Sequence, residues 1–147
     1  MKIRSAVPDD STAILELAVT LGHDTIWANT DMNASWAEAT TRLLRLIDHP
    51  DALVLVAIHE EAVVGCLVGE ICSHIFLPHM KYFYEPVLYI QPAFRRKRAG
   101  AELWKMAKAW ARVHGIDRGV YAKPKIGVRK NGRRLIEEVH WHVWGIG

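Results

Sequence analysis

Ile14, Leu17, Ala18 and Leu21 recur at helical spacing after Pro8, Asp9 and Asp10, which predicts an amphipathic helix with an acidic start and an end at Gly22. Ile3 opens a short extended piece before it. Trp36, Leu43, Leu44 and Ile47 repeat the helical pattern. A second helix is therefore expected from Asn33 to about Asp48, with Pro50 barring its continuation and residues 23–32 as linker. At Ala52 the pattern changes. ALVLVAI and AVVGCLVGEIC are continuous apolar runs rich in strand formers, separated by the polar turn HEE, and they read as a hairpin. Gly65 and Gly69 in the second run mark a bulge or a close backbone approach.

A less regular stretch, SHIFLPHMKYFYE, leads to the short apolar run PVLYI, another strand of a sheet covered on both faces. The third helix is the best defined. Ala99, Leu103, Met106, Ala107, Trp110 and Val113 form its apolar stripe, with Glu102, Lys105, Lys108 and Arg112 opposite. His114 and Gly115 close it, GVYA is a further strand, and KPKIGV is a loop. A last helix is expected over Arg129–Val139, before the brief apolar end HVWGIG.

The chain has 147 residues, 50% hydrophobic and 24% charged, a size and balance that fit one domain over residues 1–147 with a sizeable core. The formal charge is only +3, so an anionic partner has to be met by a local cluster rather than by the whole surface. MKIRSAVPDDS lacks the apolar centre of a signal peptide, and no stretch approaches the roughly 18 apolar residues of a membrane span. A soluble cytoplasmic protein is expected. Cys66 and Cys72 share one apolar segment without a CxxC spacing and read as two buried thiols. His140 and His142 in HWHVW fall on one side of a strand, but no third ligand has suitable spacing, so no metal is expected.

The candidate chemistry lies in QPAFRRKRAGAELW, where three arginines and a lysine stand between the strand PVLYI and the third helix. Amides at a helix start attract anions, the helix dipole adds to this, and small residues let a phosphate approach the backbone. Diphosphate binding is one physical reading of this stretch; a solvated charge run is the other. Lys123, Lys125, Arg129, Lys130, Arg133 and Arg134 form a second basic group.

The order of elements, together with YIQPAFR and RLIEEVHW, resembles the GCN5-related N-acetyltransferase family over nearly the whole chain. The resemblance implies an α/β fold, with a mixed, splayed central sheet flanked by helices on both faces. It also implies acetyl-CoA as acyl donor. The family's loop pattern, Q/R-x-x-G-x-G/A, falls on Arg95, Arg96, Lys97, Arg98, Ala99 and Gly100, and its amides, with Ala101, would hold the diphosphate. Arg98 stands where the pattern has its first glycine. A position that needs only room tolerates an arginine, whereas a positive φ would strain it.

The family further implies that Leu88, Tyr89 and Ile90 separate from the strand at Val120–Ala122, so that pantetheine pairs with the exposed edge. A main-chain amide near Tyr89 or Ile90 would then polarise the acetyl carbonyl. Attack by a primary amine needs a base, for which Glu85 is preferred and Glu70 is second; His74 and His79 lie in a loop with no pattern that selects them. The family's tyrosine acid aligns with Ile136 and its asparagine with Arg129, which leaves Tyr121 or water to protonate the leaving thiolate. Trp27 is a candidate for the acceptor groove, and the short C-terminal strand is a place where a second subunit would add to make a homodimer. Two other functions stay open: a non-catalytic CoA-binding module, and a nucleic-acid-binding domain using the basic clusters.

Overall fold

The computed structural model describes residues 1–23, 35–128 and 134–145, and for residues 21–23, 122–128 and 134–142 the backbone alone. In chain order the elements are β1 (Lys2–Ser5), α1 (Ser11–His23), α2 (Trp36–Asp48), β2 (Ala52–His59), β3 (Ala62–Ser73), β4 (Lys81–Ile90), α3 (Ala99–Val113), β5 (Arg118–Val128) and β6 (Arg134–Gly145). They build one six-stranded sheet in the order β1-β2-β3-β4-β5-β6. Every neighbouring pair is antiparallel except β4 and β5, which are parallel and joined through α3.

Strands β2, β3 and β4 are covered on both sides. On one face Leu55, Leu67, Phe83 and Ile90 pack against Leu103, Ala107 and Ala111 of α3. On the other, Val54, Val56, Cys66 and Tyr89 pack against Ile14, Leu15 and Leu17 of α1 and Leu43 of α2. Asp10 fixes the entry to α1: its carboxylate accepts from the Val7 amide at 2.8 Å and from both ends of the Arg4 guanidinium at 2.6 and 2.9 Å. The Arg4 hydrogen bond holds that carboxyl below the usual range.

The hairpin predicted from ALVLVAI and AVVGCLVGEIC forms as β2 and β3. Glu60 and Glu61 at its turn take φ of 47° and 66°, the left-handed pair that a two-residue connection requires. Gly69 is a close approach, as its position indicates: a Cβ there would enter the Phe83 ring. Cys66 is buried, and Cys72 is half-buried. No helix among the described residues is long and apolar enough to cross a membrane.

Four expectations need correction. Over Arg134–Val139 the last helix does not form; those residues lie in β6, paired antiparallel with β5 from Arg118↔Gly145 to Val128↔Arg134. KPKIGV is accordingly strand rather than loop. The period-2 run VHWHVW favours a ladder, and Gly119 leaves the space that the Trp144 ring fills. The buried stripe of α3 is Ala99, Leu103, Ala107 and Ala111, a strict four-residue row, so that Met106 and Val113 are exposed. Glu85 lies not just before a strand but within β4.

Of the further candidates, Trp27, Arg129, Lys130 and Arg133 lie outside the described residues, as do the side chains of Lys123, Lys125, Arg134, Ile136, His140 and His142.

Candidate active site

β4 and β5 share only three residue pairs, Phe83↔Gly119, Tyr84↔Val120 and Glu85↔Tyr121. Beyond them β4 runs on to Ile90 while β5 turns to β6 alone, so the two strands fork at Glu85. Sequence gives a local cause. Pro86 follows the last rung and has no N–H for a ladder. Opposite β3, Tyr84 pairs with Glu70 and Val87 with Val68, so Glu85 and Pro86 together face Gly69 in a bulge. From Val87 to Ile90 the edge of β4 toward β5 is therefore open, the separation expected at Leu88, Tyr89 and Ile90.

That edge leads to the basic loop. After a single 3-10 turn at Pro92–Phe94, Arg95 folds back: its Nε donates to the Ile90 carbonyl at 3.0 Å, and its guanidinium carbon lies 5.6 Å from the centre of the Tyr89 ring. Lys97 lies over Phe94, with Nζ 5.3 Å from the ring centre. Arg96 and Arg98 are exposed.

Arg98 takes φ 63° and ψ 7° at the N-terminus of α3. The positive φ that the family's glycine would supply is present, adopted by an arginine. A left-handed residue followed by a helical one turns successive N–H groups into one concavity. The first intrahelical bond there runs from the Glu102 amide to the Arg98 carbonyl at 3.1 Å. The amides of Ala99, Gly100 and Ala101 precede it and have no acceptor in the helix. A Cβ built on Gly100 meets nothing within 4 Å, so the helix start has room for a further group at that position. Such a terminus suits an anion.

The strained φ carries its own prediction. Arg98→Gly should raise stability by about 1 kcal/mol, or roughly 3 °C in Tm, because glycine adopts this conformation without the clash that arginine suffers. Arg98→Ala, which keeps the Cβ, should give no such gain; calorimetric melting of the two variants separates backbone strain from loss of charge.

Glu85 sits at the fork. It is 2% exposed, and burial pushes its pKa from 4.5 to about 8. Its charge also helps to raise the buried Cys66 thiol to about 12, after the larger effect of that thiol's own burial. A carboxyl with this affinity for protons can take one near neutral pH and release it again. Glu70 is exposed on β3, across from Tyr84, and lacks that environment. Tyr121 is the β5 partner of Glu85, and its ring meets Trp104 edge-on with centroids 5.0 Å apart. The His74 Nδ1 accepts from the Phe76 and Leu77 amides at 3.2 Å, which ties the ring to the β3–β4 turn rather than to the fork.

Several solved structures share this architecture. The PaiA N-acetyltransferase of Thermoplasma acidophilum, in complex with coenzyme A, superposes with a TM-score of 0.70 at 15% identity, over 99% of this chain and 98% of its own. A predicted acetyltransferase of Clostridium acetobutylicum with acetyl-CoA gives 0.69 at 14% identity, over 90% and 83%. An aminoglycoside antibiotic 6′-N-acetyltransferase of Acinetobacter haemolyticus gives 0.64 at 22% identity, over 79% and 74%. No curated protein sequence matches the chain. Residues 13–139 match the profile of the acetyltransferase (GNAT) family, and on that match, well over half of its length, the chain belongs to this family.

Proposed function

We propose that the protein transfers the acetyl group of acetyl-CoA to a primary amine by direct attack on the thioester. The observation that carries this is the fork itself: an open β4 edge runs from Glu85 to the unpaired amides of α3, the path an extended thioester with a diphosphate head requires. The amides from Arg98 to Ala101 hold the diphosphate, with Arg95, Arg96 and Lys97 supplying positive charge around it. Leu88, Tyr89 and Ile90 pair with the pantetheine arm, and an amide near Tyr89 or Ile90 takes the charge that develops on the carbonyl oxygen. Glu85 removes the ammonium proton, either directly or through water, and Tyr121 or water returns a proton to the thiolate. Glu70 is the alternative base. Two structural neighbours support the donor, since one holds coenzyme A and the other acetyl-CoA.

A second reading is favoured by two observations. Arg98 occupies a left-handed position, and Ile136, at the family's tyrosine position, lies in β6 rather than on a helix. A CoA-binding module without turnover fits both. Calorimetric titration with acetyl-CoA, followed by free-thiol release against an amine panel, decides the matter. Binding with amine-dependent release supports the transferase, and binding without release supports the module. Salt-sensitive binding to DNA or RNA that CoA does not compete for would instead establish a nucleic-acid domain. The protein is read as cytoplasmic, and the sheet-edge strand β6 is where a second copy would join.

A further inference from the structure

Past the fork, away from the basic loop, lies a groove of about 590 Å³ whose lining includes Ile75, Met80, Tyr82, Tyr84, Val120 and Val143. Tyr82 and Tyr84 pair with Cys72 and Glu70, so they share the sheet face that carries Cys66, α1 and α2. The groove adjoins the last rungs between β4 and β5, since Tyr84↔Val120 is the pair before Glu85↔Tyr121. A molecule lying in it meets the fork from the side opposite the diphosphate site.

Its charges are arranged unevenly. The ionised groups that line it are Lys81 and Arg118, toward the outer end, and no aspartate or glutamate is among the lining residues described. Arg118 has its own partner in exposed Asp117 at 3.1 Å. Carboxyl groups flank the inner end without being among the described lining residues: Glu70 is the β3 partner of Tyr84, and Glu85 follows Tyr84 in the chain. The walls between are aromatic and aliphatic. His74, also on the lining, is held by the turn amides.

Resting on the transferase reading, we infer that the acceptor is a primary amine on an apolar body of aromatic size, with no cation at its distal end. Its nitrogen points inward to the carboxyl end, and its body covers Tyr82, Tyr84 and Val120. A polyamine or aminoglycoside would bring a second ammonium against Lys81 and Arg118, where no described lining residue is acidic and the neighbouring Asp117 is already paired with Arg118, and like charges in a shared site discriminate strongly. The neighbours described as PaiA and as an aminoglycoside acetyltransferase thus share the fold without fixing this acceptor.

The test uses the full chain, acetyl-CoA, and three probe amines: 2-phenylethylamine, spermidine and kanamycin. Thiol release should give a kcat/KM for 2-phenylethylamine at least about tenfold above either polycation, and the pair of substitutions Lys81→Glu and Arg118→Glu should narrow that ratio by about tenfold. Both side chains are exposed, so the variant keeps the fold. Equal or better use of the polycations, or a ratio that ignores the charge reversal, overturns the inference. Should no amine release thiol, the transferase reading fails, and calorimetry of the same amines with the acetyl-CoA-loaded protein still decides the groove. Tighter binding of 2-phenylethylamine upholds the preference, and tighter binding of spermidine or kanamycin ends it.

Discussion

Glu85→Gln is expected to lower kcat for amine acetylation by about 100-fold or more, the range typical of a lost general base. In the wild type the carboxyl is 2% exposed and holds its proton up to about pH 8, so the rate should climb through neutral pH as the base form fills. The glutamine variant should lose that acid limb. An unchanged pH–rate profile would remove Glu85 from the chemistry and turn attention to Glu70. The same substitution should show a second, opposite effect on stability. The unfolded chain releases this proton near pH 4.5, whereas the folded chain keeps it to about pH 8. Across that window the unfolded state binds fewer protons, so wild-type stability falls as pH rises, by at most on the order of 5 kcal/mol. Glutamine cannot ionise. Melting temperatures from pH 5 to 9 should therefore decline in the wild type and decline less in the variant. A protein that is less active yet firmer in alkali is the joint signature of an ionisable group kept dry for catalysis.

Gly100→Glu is expected to weaken acetyl-CoA binding by at least about 100-fold, or about 2.7 kcal/mol, without loss of fold. Space for a side chain exists there, since a Cβ meets nothing within 4 Å. An acidic residue in the first turn also suits the helix dipole, so Tm should stay level or rise slightly. The new carboxylate would sit before the amides assigned to the diphosphate and compete with it. Gly100→Ala, which adds bulk without charge, should bind better than the glutamate variant. Calorimetry showing equal affinity for wild type and Gly100→Glu would mean that the diphosphate lies elsewhere.

Much of this architecture could be read from the chain, and its physical reasons differ by region. The β2–β3 hairpin and α3 were legible because long apolar runs and a strong 3.6-residue period each point to one local structure. The register of the α3 stripe was less so, because only packing against β3 and β4 decides whether Met106 or Ala111 turns inward. The final helix failed for a similar reason. RLIEEV has a helical pattern over too few residues to resist a partner, and β5 offered a ladder along its length. The fork was expected from family resemblance, although Pro86 in the middle of KYFYEPVLYI was a local signal for it. From sequence Glu85 reads as a base just before a strand, whereas it lies within β4 at a bulge opposite Gly69 that pattern alone does not reveal. Arg98 posed a choice between spare room and a positive φ, and the structure takes the second.

Because just three residue pairs join β4 to β5, the sheet consists of two leaves with a short seam. Among the described residues, Trp144 of the β5–β6 leaf meets Phe83 of β4 at a tilt and Trp104 of α3 edge-on, each with ring centres 6.5 Å apart. A ligand wedged between the leaves would act as a clasp, completing the stitching that the polypeptide leaves undone. If acetyl-CoA is that ligand, cofactor occupancy and mechanical integrity would be one property, and the empty protein would be the form more exposed to proteases.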